Sequence, residues 1–254
     1  MKDRQKLFRR FFELHRPGDP LILFNVWDAG SARAVAEAGA QAIATGSWSA
    51  AAAQGYPDGE ALPIELALAN AERIAAAVDL PVTIDFEGAY ARDPEGVGDN
   101  AVRLAATDAI GCNFEDRLVG GDGLFPPRDQ AERIEVMRQG AGSAFFINAR
   151  TDVFLKSPAE EHRDHLRHAL ERAHAYAEAG ANGFFAPGMI DRDLIARLCE
   201  ASPLPVNIMV WPGTPPLREL VMAGAARISH AGAPWRVAMR ALGEAARRAH
   251  QWEG

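Results

Sequence analysis

EAGAQAIATG (37–46), TDAIGCNFED (107–116), EAGANGFFAPG (178–188) and MAGAARISHAG (222–232) repeat one pattern, and that pattern decides the fold. Each reads as a helix end, a glycine and a short apolar run. The glycine suits the left-handed residue that stops a helix. The β-branched or aromatic residues that accompany it suit a buried parallel strand. Four such junctions in one chain imply a repeated βα unit rather than a sandwich or a bundle.

Working outward from these junctions gives eight units. Strands are expected near 21–26, 41–45, 80–86, 110–114, 145–149, 182–185, 205–210 and 226–229. Helices are expected near 30–38, 63–78, 93–107, 127–139, 158–178, 191–200, 214–223 and 232–249, with a short helix over 4–15 ahead of the first strand. Pro81, Pro203 and Pro205 fall at helix exits or strand entries, where a missing N–H is tolerated. The fold expected is α/β, a (β/α)8 TIM barrel with a short N-terminal helix. An open doubly wound sheet is disfavoured, because NVWDAGSAR follows the first strand where a GxGxxG turn would lie. At 254 residues the chain matches one such barrel of about 250. No linker or low-complexity stretch divides it, so 1–254 reads as a single domain.

Hydrophobic residues make up 48% and charged residues 24% of the chain, as in ordinary globular proteins. A net charge of -7 and only three lysines (Lys2, Lys6 and Lys156) argue against a nucleic-acid partner. No apolar run has the length of a membrane span. MKDRQKLFRRFF (1–12) reads as an amphipathic helix rather than a leader, and a cytoplasmic protein is expected. Cys112 and Cys199 are far apart and form no metal-ligand spacing; Cys112 reads as a buried small hydrophobe.

In barrels of this kind chemistry lies at the C-terminal strand ends and the loops after them. PVTIDFEGAY places Asp85 and Glu87 two apart, on one face of a strand end. CNFEDRL supplies Glu115 and Asp116, and INARTD supplies Asn148, Arg150 and Asp152. Two carboxylates ~5 Å apart repel by roughly 3 kcal/mol at an effective dielectric near 20. Asp85, Glu87 and Glu115 on neighbouring strand ends therefore point to a hard divalent ion, Mg2+ or Mn2+. Asp116 and Asp152 read as structural partners of nearby arginines. His162, His165 and His168 read as a solvated helix face. His230, directly after the last strand, is equally a pocket residue or a loop residue. Gly120, Gly121 and Gly123 give the loop over 117–130 the flexible points of a lid.

FNVWDAGSARAVAEAGAQAIATGSWSAAAAQGYPDGE (24–60), TIDFEGAYA (83–91), NFEDR (113–117) and INARTDVFL (147–155) come in an order and spacing that resembles the isocitrate lyase and phosphoenolpyruvate mutase superfamily, its smaller lyase-like bacterial members most closely. The resemblance implies a metal held by Asp85, with Glu87 and Glu115 binding it directly or through water. It implies that Arg150 grips the substrate's carboxylate or phosphonyl group and that the amides of Gly46 and Ser47 receive a pyruvate-like carboxylate. Asp58, in GYPDG, matches an acid of the pocket rim that assists catalysis. The implied intermediate is an enolate, and a homo-oligomer (dimer or tetramer) is expected.

The chain departs from the family's lyases in three places. Their Lys-Lys-Cys-Gly-His loop is replaced by RLVGGDGLFPPRDQ (117–130), with no cysteine, lysine or histidine; Asp122 is its only acid near the tip. The second acid of their DxD motif is Glu87, followed by AYA. FAPGM (185–189) stands where they carry a further acid. Cleavage of a carbon–carbon bond in a small 2-oxo or 2-hydroxy (di)carboxylate is the leading expectation. Phosphonate P–C chemistry comes second, because no basic loop is evident, and a non-catalytic metabolite-binding barrel third.

Overall fold

The computed structural model describes residues 3–251. Eight strands, β1 (Leu21–Leu23), β2 (Ile43–Ala44), β3 (Val82–Asp85), β4 (Gly111–Glu115), β5 (Phe146–Arg150), β6 (Gly183–Phe185), β7 (Val206–Met209) and β8 (Arg227–Ser229), lie in the order β1-β8-β7-β6-β5-β4-β3-β2. All pairs are parallel. A bridge between Val26 and Thr45 links the two ends of the sheet into a barrel. Helices α1 (Arg4–Glu13), α2 (Ala29–Glu37), α3 (Ser47–Ala53), α4 (Ile64–Ala77), α5 (Pro94–Ala105), α6 (Pro127–Ala141), α7 (His162–Glu178), α8 (Arg192–Ala201), α9 (Leu217–Met222) and α10 (Ala233–His250) complete the order expected of a (β/α)8 barrel with an N-terminal helix. No helix among the described residues is long and apolar enough to cross a membrane.

Local chemistry sets the helix starts. Asp28 accepts from Ser31 N at 2.7 Å, and Ser31 Oγ bonds back to Asp28 N, a reciprocal cap for α2. Asp93 caps α5 ahead of Pro94, and Asp191 caps α8. Two differences from the sequence reading stand out. A helix that was not expected, α3, follows Gly46, because an alanine run there propagates a turn begun at the glycine. The helix expected over 158–178 is a 3₁₀ turn (Ala159–Glu161) followed by α7.

The core has two parts. Between strands and helices lies a large apolar layer that includes Ile84, Cys112, Ile147, Phe184 and Ile208. A second cluster joins Phe11, Leu21, Leu23, Ala42, Ala44, Ile110 and Phe146. It is the plug that α1 makes at the N-terminal pole, with the His15 ring stacked on Phe146 at 4.3 Å between centroids. The upper barrel interior is polar instead, with Asn113, Asn148 and Asn207 interlinked by their amides. On the outside, α10 packs little: Pro234 is its one buried residue. Ile22 and Phe24, which point outward at β1, are left 37% and 46% exposed.

Candidate active site

The C-terminal ends of the strands surround a cavity of about 530 Å3. Its floor includes Asn25, Ser47, Asp85, Asn113 and Ser229, and its rim includes Asp58, Lys156, Trp211 and Arg236. Gly46, Arg117, Arg150 and Asp152 line it between. Asp85 terminates β3, where the apolar run VTI gives way to the strand-end acid. Its Oδ2 accepts from Ser47 N at 3.0 Å and its Oδ1 from Asn113 Nδ2 at 3.2 Å. Asn113 is held in that sense, because its Oδ1 already accepts from Asn148 at 2.8 Å and from Arg227 at 3.1 Å. Burial pushes the Arg227 guanidinium down to about 9.

The other two acids of the expected set face elsewhere. Glu87 Oε2 accepts from Glu60 N at 2.8 Å, and Glu87 lines a small adjoining cavity with Asp85 rather than the large one. Burial, then the charges of Glu115, Asp85 and Asp58, push its carboxyl up to about 9. Glu115 is paired with Arg150 Nη1 at 2.9 Å. Burial raises its proton affinity, with Asp152 and Asp85 adding to the rise against the pull of Arg150. Among the described residues no group of three or more His, Cys, Asp or Glu side chains is arranged around one metal position. What the geometry fits is a hard cation on one cavity-facing carboxylate, Asp85, with water and substrate as its remaining ligands, a common arrangement for Mg2+. The crowding that burial and mutual repulsion impose on Glu87 and Glu115 is the conflict such a charge relieves.

Arg150 ends β5 with Asp152 on its Nε and Nη2, at 2.7 and 3.0 Å, and Glu115 on its Nη1. Burial alone would weaken its hold on the proton; Glu115, Asp152 and Asp85 outweigh this and keep it charged. The amides expected to receive a carboxylate have internal acceptors: Gly46 N donates to Val26 O at 3.2 Å, and Ser47 N to Asp85. Asp58 stands at the rim with solvent on one side. Its carboxyl is nonetheless raised, by partial burial and then by Asp85, against the pull of Arg150 and Arg117.

Asp116 is a structural partner as the sequence suggests, bonded to Arg172, Tyr176 and the backbone of Asp152. His165 and His168 stay at the surface of α7, but His162 is buried, its Nε2 2.9 Å from Phe154 O. It opens the helix, and its ring closes the loop before it, a role that helical periodicity does not display. His230 is bonded to Leu23 O through Nδ1 and lies outside the cavity lining. Cys112 is fully buried against Met137. Sequence reasoning passed over Asn25, Asn113, Arg117 and Arg236. The first three stand at or next to strand ends and were open to the same rule as Asp85. Arg236, stacked on Trp48 at 4.8 Å, comes from the start of α10 and had no such signal.

An eight-stranded parallel barrel with a mixed acid and arginine mouth at its C-terminal pole defines a class, the (β/α)8 barrels built as enzymes are. The chain belongs to the phosphoenolpyruvate phosphomutase family, whose model matches residues 11–250, within the superfamily that also holds the isocitrate lyases. An uncharacterised protein of Mycobacterium tuberculosis is 32% identical over 237 residues, covering 93% of this chain and 87% of that protein. The 2-methylisocitrate lyase of Bacillus subtilis is 28% identical over 215 residues, covering 80% and 67%. A crystal structure from Burkholderia cenocepacia, provisionally described as a phosphonomutase, is 48% identical with a TM-score of 0.93, covering 97% of this chain and 99% of that one. The superfamily is one of enzymes, lyases and mutases.

Proposed function

We propose that this protein is a magnesium-dependent lyase that cleaves a carbon–carbon bond beside the carbonyl of a small 2-oxo or 2-hydroxy (di)carboxylate, through an enolate. The observation that carries this reading is Asp85, held by two hydrogen bonds at the floor of a cavity with Arg150 in the same wall. The cavity volume suits a small polar acid. Mg2+ (or Mn2+) on Asp85 would supply Lewis-acid stabilisation of the enolate oxygen, with Glu115 behind it and Glu87 turned aside toward Glu60. Three of the five N–H donors of Arg150 serve Asp152 and Glu115, and the remaining two can hold one substrate carboxylate. Gly46 and Ser47 form the wall beside that carboxylate. Asp58, with its raised proton affinity, is placed to return a proton to the carbon end of the enolate.

Arg117, Lys156 and Arg236 line the same cavity and form no ion pair with a carboxylate among the described residues. That basic rim, which the sequence did not reveal, favours a second reading, P–C bond rearrangement or hydrolysis of a phosphonate. Assay of 2-methylisocitrate, oxaloacetate and phosphonopyruvate with Mg2+, following pyruvate, phosphoenolpyruvate and phosphate separately, decides between them. The expected result is 2-oxo acid from a carbon–carbon substrate, abolished by chelator and by Asp85→Ala at unchanged Tm. Equal rates in chelator would sink the metal, and turnover of phosphonopyruvate alone would transfer the assignment to the second reading. Binding without turnover of any of them would make the barrel a metabolite-binding protein.

A further inference from the structure

The loop before α4 and the turn after β3 share an unusual backbone. Glu60 has φ +59°, and Glu87, Ala89 and Tyr90 have φ +50°, +64° and +55°. Side chains other than glycine avoid this region, so such residues persist only where their surroundings hold them. Here each segment holds the other. Glu60 N donates to Glu87 Oε2 at 2.8 Å, and Tyr90 N donates to Glu60 Oε1 at 2.7 Å. Gly88 between them allows the approach, because a Cβ there would lie 3.0 Å from Glu60 Oε1. Arg133 fastens the same turn from behind, donating to Gly88 O and Ala91 O at 2.7 and 2.8 Å.

Neither glutamate lines the large cavity. The acids two residues before each of them, Asp58 and Asp85, both do. We propose that Glu60 and Glu87 are positioning residues, a reciprocal side-chain-to-backbone clamp that fixes Asp58 over Asp85. The longer side chain at 87 is what makes the clamp: one methylene fewer would leave the carboxylate short of Glu60 N. Asp58 otherwise rides on a turn with glycines on either side, Gly55 and Gly59, both at positive φ, and would wander without it.

The kinetic arm of the test rests on the function proposed above; the exchange arm does not. Amide hydrogen exchange over 56–60 is measured in the full-length protein for Glu87→Asp, Glu87→Gln and Glu60→Ala. Glu87→Asp and Glu60→Ala should speed exchange of this segment at least tenfold, by roughly the opening of one local contact. Glu87→Gln retains an acceptor oxygen and should keep the wild-type protection. Mg2+ affinity, by titration calorimetry, should change less than threefold in Glu87→Asp. In turnover, Glu87→Asp should lower kcat with KM nearly unchanged. Combined with Asp58→Ala, it should be no slower than Asp58→Ala alone, because a group that acts only through Asp58 has nothing further to lose. Unchanged exchange in Glu87→Asp overturns the clamp, and so does a tenfold loss of Mg2+ affinity with exchange intact, which would make Glu87 a ligand. Multiplicative losses in the double variant overturn the link to Asp58. If one variant fails to fold, the other carries the exchange comparison. Intact clamp behaviour without turnover would count against the proposed reaction and leave the clamp standing.

Discussion

Arg150 shows how one side chain can serve structure and substrate together. Asp152 and Glu115 are nearly inaccessible, and both depend on its guanidinium for charge and hydrogen bonds. Lysine carries the charge but cannot reproduce the two-pronged bond to Asp152. Arg150→Lys is therefore expected to lower stability by about 1–3 kcal/mol, the range for leaving a buried acceptor unmet. Its effect on turnover separates the roles. If the two remaining N–H groups hold the substrate carboxylate, kcat/KM measured well below Tm should fall by about 2–4 kcal/mol, the scale of removing one oriented donor from a reacting anion. A variant with a lowered Tm and near-wild-type kcat/KM would reduce Arg150 to a structural cation.

At the scale of elements, the strand ends were legible because an apolar run that breaks into DFE, FED or NAR marks where a barrel strand leaves the core. That rule placed Asp85, Glu115 and Arg150 at one mouth. It could not show that Glu87 turns toward Glu60, since none of the left-handed residues of that turn, Glu87, Ala89 and Tyr90, is a glycine. Nor could it show α3, whose first amide is bonded to Asp85, or Arg236, which arrives at the rim from the start of α10. The loop after β4 is more ordered than its glycines imply. Arg117 and Leu124 pair across a short hairpin, Leu118 N donates to Gly123 O at 3.1 Å, and Arg92 reaches Val119 O at 2.8 Å. These are few bonds, mostly at the surface, and such an element opens locally at low free energy. Exchange of the amides of Leu118 and Gly121 should be fast in the free protein. It should slow at least tenfold with oxalate and Mg2+, oxalate being a planar mimic of an enolate. Equal protection in both states would remove the lid.

The molecule as a whole leaves one seam open. In a (β/α)8 barrel every strand's outer side is normally covered by helices, yet Ile22 of β1 and Phe24 just after it remain exposed. The helix that follows β8 and would lie nearest them, α10, buries only Pro234 over its eighteen residues. Its own apolar residues are open as well, Val237 at 60% and Leu242 at 62% exposure. A helix shows such a face when it packs on something outside its own barrel. The uncovered strand and the unpacked helix answer one another if two copies associate, α10 of each lying against the partner. We propose this as the homo-oligomer expected from the sequence, and symmetric exchange of an identical element is a low-cost route to it. Sedimentation at micromolar concentration should then give a dimer or a larger even assembly. Val237→Glu with Leu242→Glu should shift it to monomer while leaving the far-ultraviolet circular dichroism of the barrel intact. A wild-type protein that sediments as a monomer under these conditions would leave α10 and the outer face of β1 without this explanation.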